Sequence, residues 1–256
     1  MLEKYIILKT INSVNYTYLW MKNESGGAFF AKKLTKFNKN LLDVMYNEVE
    51  KLLLVEEYAN FPKLVEYDLT TEFLIVYQYI EGTSLLRRKN LDISSSLQLL
   101  ITLCDLVNIL HSLNLVHCDI KSSNIIFNGS NVYLIDFGSA HFIGKVCQYG
   151  SLSYCSIDQI DKKQVSYFFD IYAMGIVLYE LITNKNPFIV KDKHQLISMK
   201  RKGQFLSCSD TIINVPQEID NIILKATTND DNLRYKSILE LQKDLIMVYN
   251  VYYKGV

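Results

Sequence analysis

Between residues 5 and 35 apolar and polar positions alternate, in three runs rich in β-branched and aromatic residues. The runs are Tyr5-Ile6-Ile7-Leu8, Tyr16-Thr17-Tyr18-Leu19-Trp20 and Phe29-Phe30-Ala31, and they predict strands. Asn23-Glu24-Ser25-Gly26-Gly27 reads as the turn between the second and third. From Leu41 to Glu57 the period becomes helical, with Leu42, Met45, Val49 and Leu52 or Leu53 on one face. Asn60-Phe61-Pro62 ends that helix, Lys63-Leu64-Val65 starts another strand, and Phe73 to Ile80 reads as a further one. A continuous helical pattern runs from Ser94 to Leu113, and two more cover Ile219 to Thr227 and Ser237 to Val251. Between them, Asn124-Ile125-Ile126-Phe127 and Val132-Tyr133-Leu134-Ile135 flank Asn128-Gly129-Ser130-Asn131, a hairpin signal.

Composition narrows the class. The 256 residues are 49% hydrophobic and 21% charged, ample for a large core. Lys+Arg and Asp+Glu both number 27, so no global field draws the chain to nucleic acid or an anionic membrane. Lys200-Arg201-Lys202 is too short a run to change that, and is expected to be a solvated helix end. Cys104, Cys118, Cys147, Cys155 and Cys208 are scattered, odd in number and form no CxxC pair. This points to a reducing, cytoplasmic setting and away from a disulfide framework or a zinc site. Charge interrupts the N-terminal stretch MLEKYIILKTINSV, unlike a signal peptide, and no uninterrupted apolar run reaches the length of a membrane span.

The chemistry concentrates between Leu115 and Ala140, LVHCDIKSSNIIFNGSNVYLIDFGSA. The hairpin is expected to bring Asp119, Asn124 and Asp136 to one edge with Lys121 beside them. Carboxylate and amide oxygens suit Mg²⁺, which takes one or two protein carboxylates and fills its shell with substrate phosphates. A further carboxylate can deprotonate an attacking hydroxyl, and an ammonium can neutralise a transferring phosphoryl group.

His117-Cys118-Asp119, Lys121, Asn124 and Asp136-Phe137-Gly138 resemble the catalytic loop H-R-D-x-K-x-x-N and the metal loop D-F-G of the eukaryotic-type Ser/Thr protein kinases. The resemblance covers essentially the whole chain. It implies an α+β, two-lobed kinase-like fold, with residues 1–81 a small antiparallel-sheet lobe carrying one main helix and 82–256 a larger, mostly helical lobe. It also implies transfer of the ATP γ-phosphoryl group, with Mg²⁺, to Ser/Thr hydroxyls of a protein substrate. Asp119 would take the hydroxyl proton, Lys121 would contact the transferring phosphate, and Asn124 and Asp136 would hold the metal. His117 would support the loop.

In the family a small residue stands two before the phosphate-binding lysine, so Ala31 selects Lys33 and turns Lys32 outward; a one-residue slip would exchange them. Glu48, with Glu50 as the alternative, stands where the helix glutamate pairs with that lysine. Tyr77 matches the gatekeeper, and the backbone of Gln78, Tyr79 and Ile80 would contact adenine. The glycine-rich loop falls on Asn12 to Thr17, where Asn12, Val14 and Thr17 replace the three glycines. Cys118 replaces the arginine that pairs with an activation-loop phosphate, which implies activity independent of such phosphorylation. Gly150-Ser151-Leu152-Ser153-Tyr154-Cys155-Ser156-Ile157-Asp158-Gln159 resembles G-T-x-x-Y-x-S-P-E-Q, placing Asp158 opposite Arg234 and Ser151 near Asp119 and Lys121. Asp170 to Leu181 matches the buried central helix, its aspartate binding catalytic-loop amides. Two other readings have their own support. A pseudokinase would follow from the missing glycines, and a small-molecule phosphotransferase shares the fold but lacks the counterparts of Lys121 and Phe137-Gly138.

Overall fold

In the computed structural model the described residues are 1–88, 90–129, 131–146, 150–161, 164–190, 192–203 and 205–254. Cys147 and Ser130 lie outside them. The chain divides into two compact units: Met1–Gly82 with Ile135–Gly138, and Thr83–Leu134 with Ser139–Val256. The first therefore takes four residues from beyond the boundary expected near residue 82.

The alternation at the start of the chain forms three strands, β1 (Ile6–Asn12), β2 (Tyr16–Lys22) and β3 (Ala28–Leu34). After helix α1 (Lys39–Leu54) come β4 (Leu64–Asp68) and β5 (Leu74–Gln78), giving an antiparallel sheet in the order β1-β2-β3-β5-β4. Ala31 sits opposite Leu19 and Val76, and these three with Met21 and Leu74 form a buried cluster on one face. The other face is aromatic: Tyr18 stacks on Phe30 at 5.8 Å, Trp20 meets Phe30 edge-on at 5.2 Å, and Tyr77 lies 6.2 Å from it. Asn38 caps α1 by accepting from the Leu41 amide at 3.2 Å, which starts the helix two residues before its apolar pattern does.

The second unit begins with β6 (Thr83–Ser84), α2 (Ile93–Ser112) and β7 (Leu115–Val116). The expected hairpin follows as β8 (Ile125–Phe127) and β9 (Val132–Leu134), with Ile125 opposite Leu134. Next are β10 (His141–Phe142), the short α3 (Ile157–Ile160), α4 (Phe168–Thr183) and α5 (Lys193–Lys202). The last elements are α6 (Cys208–Thr211), α7 (Gln217–Thr227) and α8 (Ile238–Tyr252). Every residue of α4 except Glu180 is buried. Gly175 lets α7 approach, since a Cβ there would stand 2.8 Å from the Ala226 Cβ. By length and composition α2 is apolar enough to cross a membrane, and half of that window is buried against its own unit. Lys200 departs from the solvated helix end expected of its sequence, for it is only 1% exposed whereas Arg201 and Lys202 face solvent.

Arg234 joins the C-terminal region to α3. Its guanidinium lies 2.5 Å from Asp158, stacks 3.7 Å over the Phe168 ring, and donates to the carbonyls of Thr228 and Asn229. Both side chains are largely buried, so removing one strands the other. Arg234→Met is expected to lower stability by about 3–5 kcal/mol in equilibrium urea unfolding. The double variant with Asp158→Asn should recover part of that loss; strict additivity would show that the pair is not coupled.

Candidate functional site

In the first unit one ammonium meets two carboxylates. Lys32 Nζ donates to Glu48 Oε2 at 2.7 Å and to Asp136 Oδ1 at 3.3 Å. The second oxygen of Glu48 accepts from the Tyr77 hydroxyl at 2.8 Å. Glu48 reaches this point because it shares the buried stripe of α1 with Met45, Val49 and Leu52. Asp136 adopts φ +69°, an uncommon conformation for a residue with a Cβ. The segment around it is fixed by the Asn47 side chain, which donates to the Gly138 carbonyl at 3.1 Å, and by Phe137 packed edge-on against Phe61.

Burial by itself lowers the Lys32 pKa. The carboxylates of Asp136 and Glu48 outweigh it and hold the ammonium's pKa well above the ordinary lysine value. Burial, reinforced by Glu48, likewise pushes the Tyr77 phenol up, so its hydroxyl remains a donor. Sequence reasoning missed this third contact, because nothing local links Tyr77 to a carboxylate 29 residues away.

The lysine assignment is corrected here. Lys32, with a side chain 9% exposed, pairs with Glu48, whereas Lys33 is 36% exposed and lies 4.0 Å from Glu72. Ala31 shares its face with the apolar cluster, and Phe30 is the residue two before Lys32 on the opposite face. Phe29, Ala31 and Lys33 share one face of β3 and Phe30, Lys32 and Leu34 the other, so each face carries two apolar residues and one lysine. The strand is covered on both faces, so alternation alone could not fix its register.

The β1–β2 connection carries Asn12 and Val14. The Thr17 hydroxyl donates to Asn12 Oδ1 at 3.0 Å, and Val14 is 93% exposed at the tip. Ser13 and Tyr16 close the turn through backbone and hydroxyl bonds, and no residue from 12 to 17 has positive φ. This turn therefore has no position that demands glycine. At the expected hinge, the Gln78 amide donates to the Lys63 carbonyl at 2.9 Å and the Tyr79 amide to Ala28 at 3.0 Å. Of the three residues expected to contact adenine, two thus have their amides tied into the sheet.

The second unit gathers the remaining residues. Lys121 Nζ donates to Asp119 Oδ2 at 2.6 Å and to the Ser151 hydroxyl at 2.9 Å. The Ser151 amide donates to Asp119 Oδ1 at 2.8 Å, so serine bridges lysine with its hydroxyl and aspartate with its backbone. Asn124 Nδ2 donates to the Asp119 carbonyl at 3.1 Å and to Oδ2 at 3.3 Å. A Cβ on Gly150 would stand 2.5 Å from Asp119 Oδ1, so this approach requires glycine.

Asp170, wholly buried on α4, holds the loop. It accepts from the amides of His117 and Cys118, both at 2.9 Å, and lies 3.1 Å from His111 Nε2. His117 is buried too, its Nδ1 accepting from the Asp119 amide at 3.3 Å. Cys118 is buried with φ +62°, its carbonyl accepting from the Gln159 side chain at 2.6 Å.

These residues form two sets, Lys32, Glu48 and Asp136 in one unit and Asp119, Lys121, Asn124 and Ser151 in the other. The family model described as the protein kinase domain matches residues 14–246. The chain belongs to the protein kinase domain family. The kinase domain is 25% identical, over 95% of its length, to the probable serine/threonine-protein kinase PknB of Lactococcus lactis, and covers 42% of that protein. It is 30% identical to the serine/threonine-protein kinase PrkC of Bacillus subtilis, over 72% of this chain and 31% of that one. The chain thus spans less than half the length of these relatives. Among solved structures the PK-1 kinase of Cydia pomonella granulovirus superimposes with a TM-score of 0.80 at 23% identity, over 95% of this chain and 94% of that one. This supports the two-lobed kinase fold.

The two lysines of β3 should separate sharply in calorimetric unfolding. Lys32→Met leaves the buried Glu48 carboxylate without its cation and is expected to cost about 3–5 kcal/mol. Lys33→Met should stay within about 0.5 kcal/mol of the parent. Equal losses would overturn the assignment.

Proposed function

We propose that this kinase domain transfers the γ-phosphoryl group of ATP to serine and threonine hydroxyls of protein substrates. The observation that carries the reading is the Asp119–Lys121–Ser151 cluster, a carboxylate held ready with an ammonium at its side. The Ser/Thr names of the bacterial relatives support the same choice.

Asp119 is the general base. Its two oxygens are oriented by the Ser151 amide and by Lys121, so an approaching hydroxyl can donate its proton to a carboxylate of fixed direction. Lys121 is placed to neutralise charge on the transferring group. In the other unit Lys32, kept protonated by Glu48 and Asp136, binds nucleotide phosphates as a fixed point charge.

The donors present fit Mg²⁺. In the second unit Asn124 has its NH₂ end committed to Asp119 and its oxygen 3.4 Å from the Ser123 hydroxyl, and that amide oxygen is of the type that would hold Mg²⁺. In the first unit Asp136 offers a carboxylate of the same use, with a side chain 41% exposed. Held by such oxygens, Mg²⁺ would supply charge neutralisation at the phosphates. A cytoplasmic setting belongs to the same proposal.

Phosphate incorporation from Mg·ATP into a generic Ser/Thr substrate, read by intact mass, tests the reading. The parent chain should incorporate phosphate, and Asp119→Asn and Asp136→Ala should each reduce the rate by at least about 100-fold. Cys118→Ser should keep most activity, because the thiol's bond to the Val116 carbonyl is one that serine can make. No incorporation, and no thermal stabilisation by nucleotide, would instead identify a pseudokinase.

A further inference from the structure

Lys200, 1% exposed, is the most deeply buried lysine among the described residues of the second unit, and the proposed reaction does not use it. It projects from α5 and donates to the carbonyl of Cys155 at 2.9 Å, the carbonyl of Ser153 at 3.0 Å and the Tyr172 hydroxyl at 3.3 Å. Its ammonium also lies 3.9 Å from the centre of the Phe188 ring and 4.8 Å from that of Tyr172. Three N–H donors thus meet three oxygens over two aromatic faces, and none of the ion pairs among the described residues includes this lysine. A buried ammonium without a carboxylate is costly, so the segment that satisfies it is held to one conformation.

That segment adjoins the proposed base. Ser151 bonds both Asp119 and Lys121, its carbonyl accepts from the amides of Tyr154 and Cys155, and Ser156 caps α3. The carbonyls held by Lys200 lie between these two anchors. Because the Ser151 amide is bonded to the Asp119 carboxylate, a hydroxyl that reaches Asp119 comes in beside the start of this segment, and its backbone is the nearest surface to receive the rest of the acceptor.

We propose that Lys200 is a positioning residue for the protein acceptor, fixing the Ser151–Ser156 segment from beneath through its backbone carbonyls. The inference rests on the kinase reading given above. Burial pushes the Lys200 pKa down to about 7, with the Cys155 thiol opposing it. The other titratable group facing it is the Tyr172 hydroxyl, while the nearby carboxylates Asp158 and Asp161 are engaged by Arg234 and Arg201. With the folded pKa below the ordinary lysine value of 10.5, the unfolded chain binds the extra proton between about pH 7 and 10.5. Stability therefore rises with pH across that window.

Lys200→Met keeps the apolar stem and removes the donors. The expected result is a rise of at least about fivefold in KM for a peptide acceptor, with KM for ATP unchanged, and faster hydrogen exchange confined to residues 150–160. The parent should also show an inflection of acceptor KM near pH 7 that the variant lacks. An unchanged acceptor KM, or equal changes in both KM values, would overturn the proposal. Should Lys200→Met not fold, Tyr172→Phe removes a single acceptor while retaining the ring, and the same exchange and KM measurements decide. Hydrogen exchange does not depend on turnover. If the parent transfers no phosphate the kinase reading fails, and unaltered exchange at 150–160 in a folded variant refutes the role of Lys200 separately.

Discussion

Within the second unit, the geometry of the proposed base depends on the carboxylate of Asp170. Burying a charge on an apolar helix is unfavourable unless its lone pairs are met, and here two backbone amides and an imidazole meet them. The exchange works in both directions. The amides of His117 and Cys118, just past β7, both donate to Asp170, the acceptor that lets the chain turn there. Cys118 can then hold a positive φ, with its carbonyl taken by Gln159. Asp119 follows directly, so the direction of its carboxylate is inherited from a contact on α4.

The first unit solves a similar problem with side chains alone. Burial disfavours the charged form of Lys32, and Glu48 and Asp136 would repel one another without it. Together they leave an excess negative charge beside a cation, and the Tyr77 hydroxyl takes up one remaining carboxylate oxygen. The position of α1 is thereby coupled to β5 as well as to β3.

What was legible in the sequence follows from this division. Asp119, Lys121, Asn124 and Asp136 could be picked out as candidates because proton transfer and metal binding restrict the residue types and their spacing, and the structure brings Lys121 and Asn124 within hydrogen-bond reach of Asp119. The strands β1 to β5, the β8–β9 hairpin, α1, α2, α7 and α8 were readable from the pattern of apolar residues, and α4 and the pairing of Asp158 with Arg234 through the family resemblance; the two-residue strands β6, β7 and β10 are too short to leave a pattern. Lys32 was not distinguishable from Lys33, since β3 has apolar neighbours on both faces. Lys200 was hidden differently. In Lys200-Arg201-Lys202 it resembles two solvated neighbours, and the carbonyls that accept its bonds come from residues 45 and 47 positions earlier. Helical periodicity reports apolar faces and gives no sign of a lysine whose partners are backbone oxygens.

The glycine-free turn between β1 and β2 bears on how charge is handled in the proposed reaction. A glycine-rich loop grips phosphate with amides exposed by unusual backbone angles. Here ordinary angles suffice, because the Ser13 hydroxyl closes the turn and Val14 stands out at its tip. On the proposed reading, backbone dipoles at this turn would contribute less to phosphate binding than a fixed charge would. Lys32, buried and held by Glu48 and Asp136, is such a charge, already oriented before any ligand arrives. The proposed phosphate recognition would then rest more on this side-chain network than on the backbone of the turn.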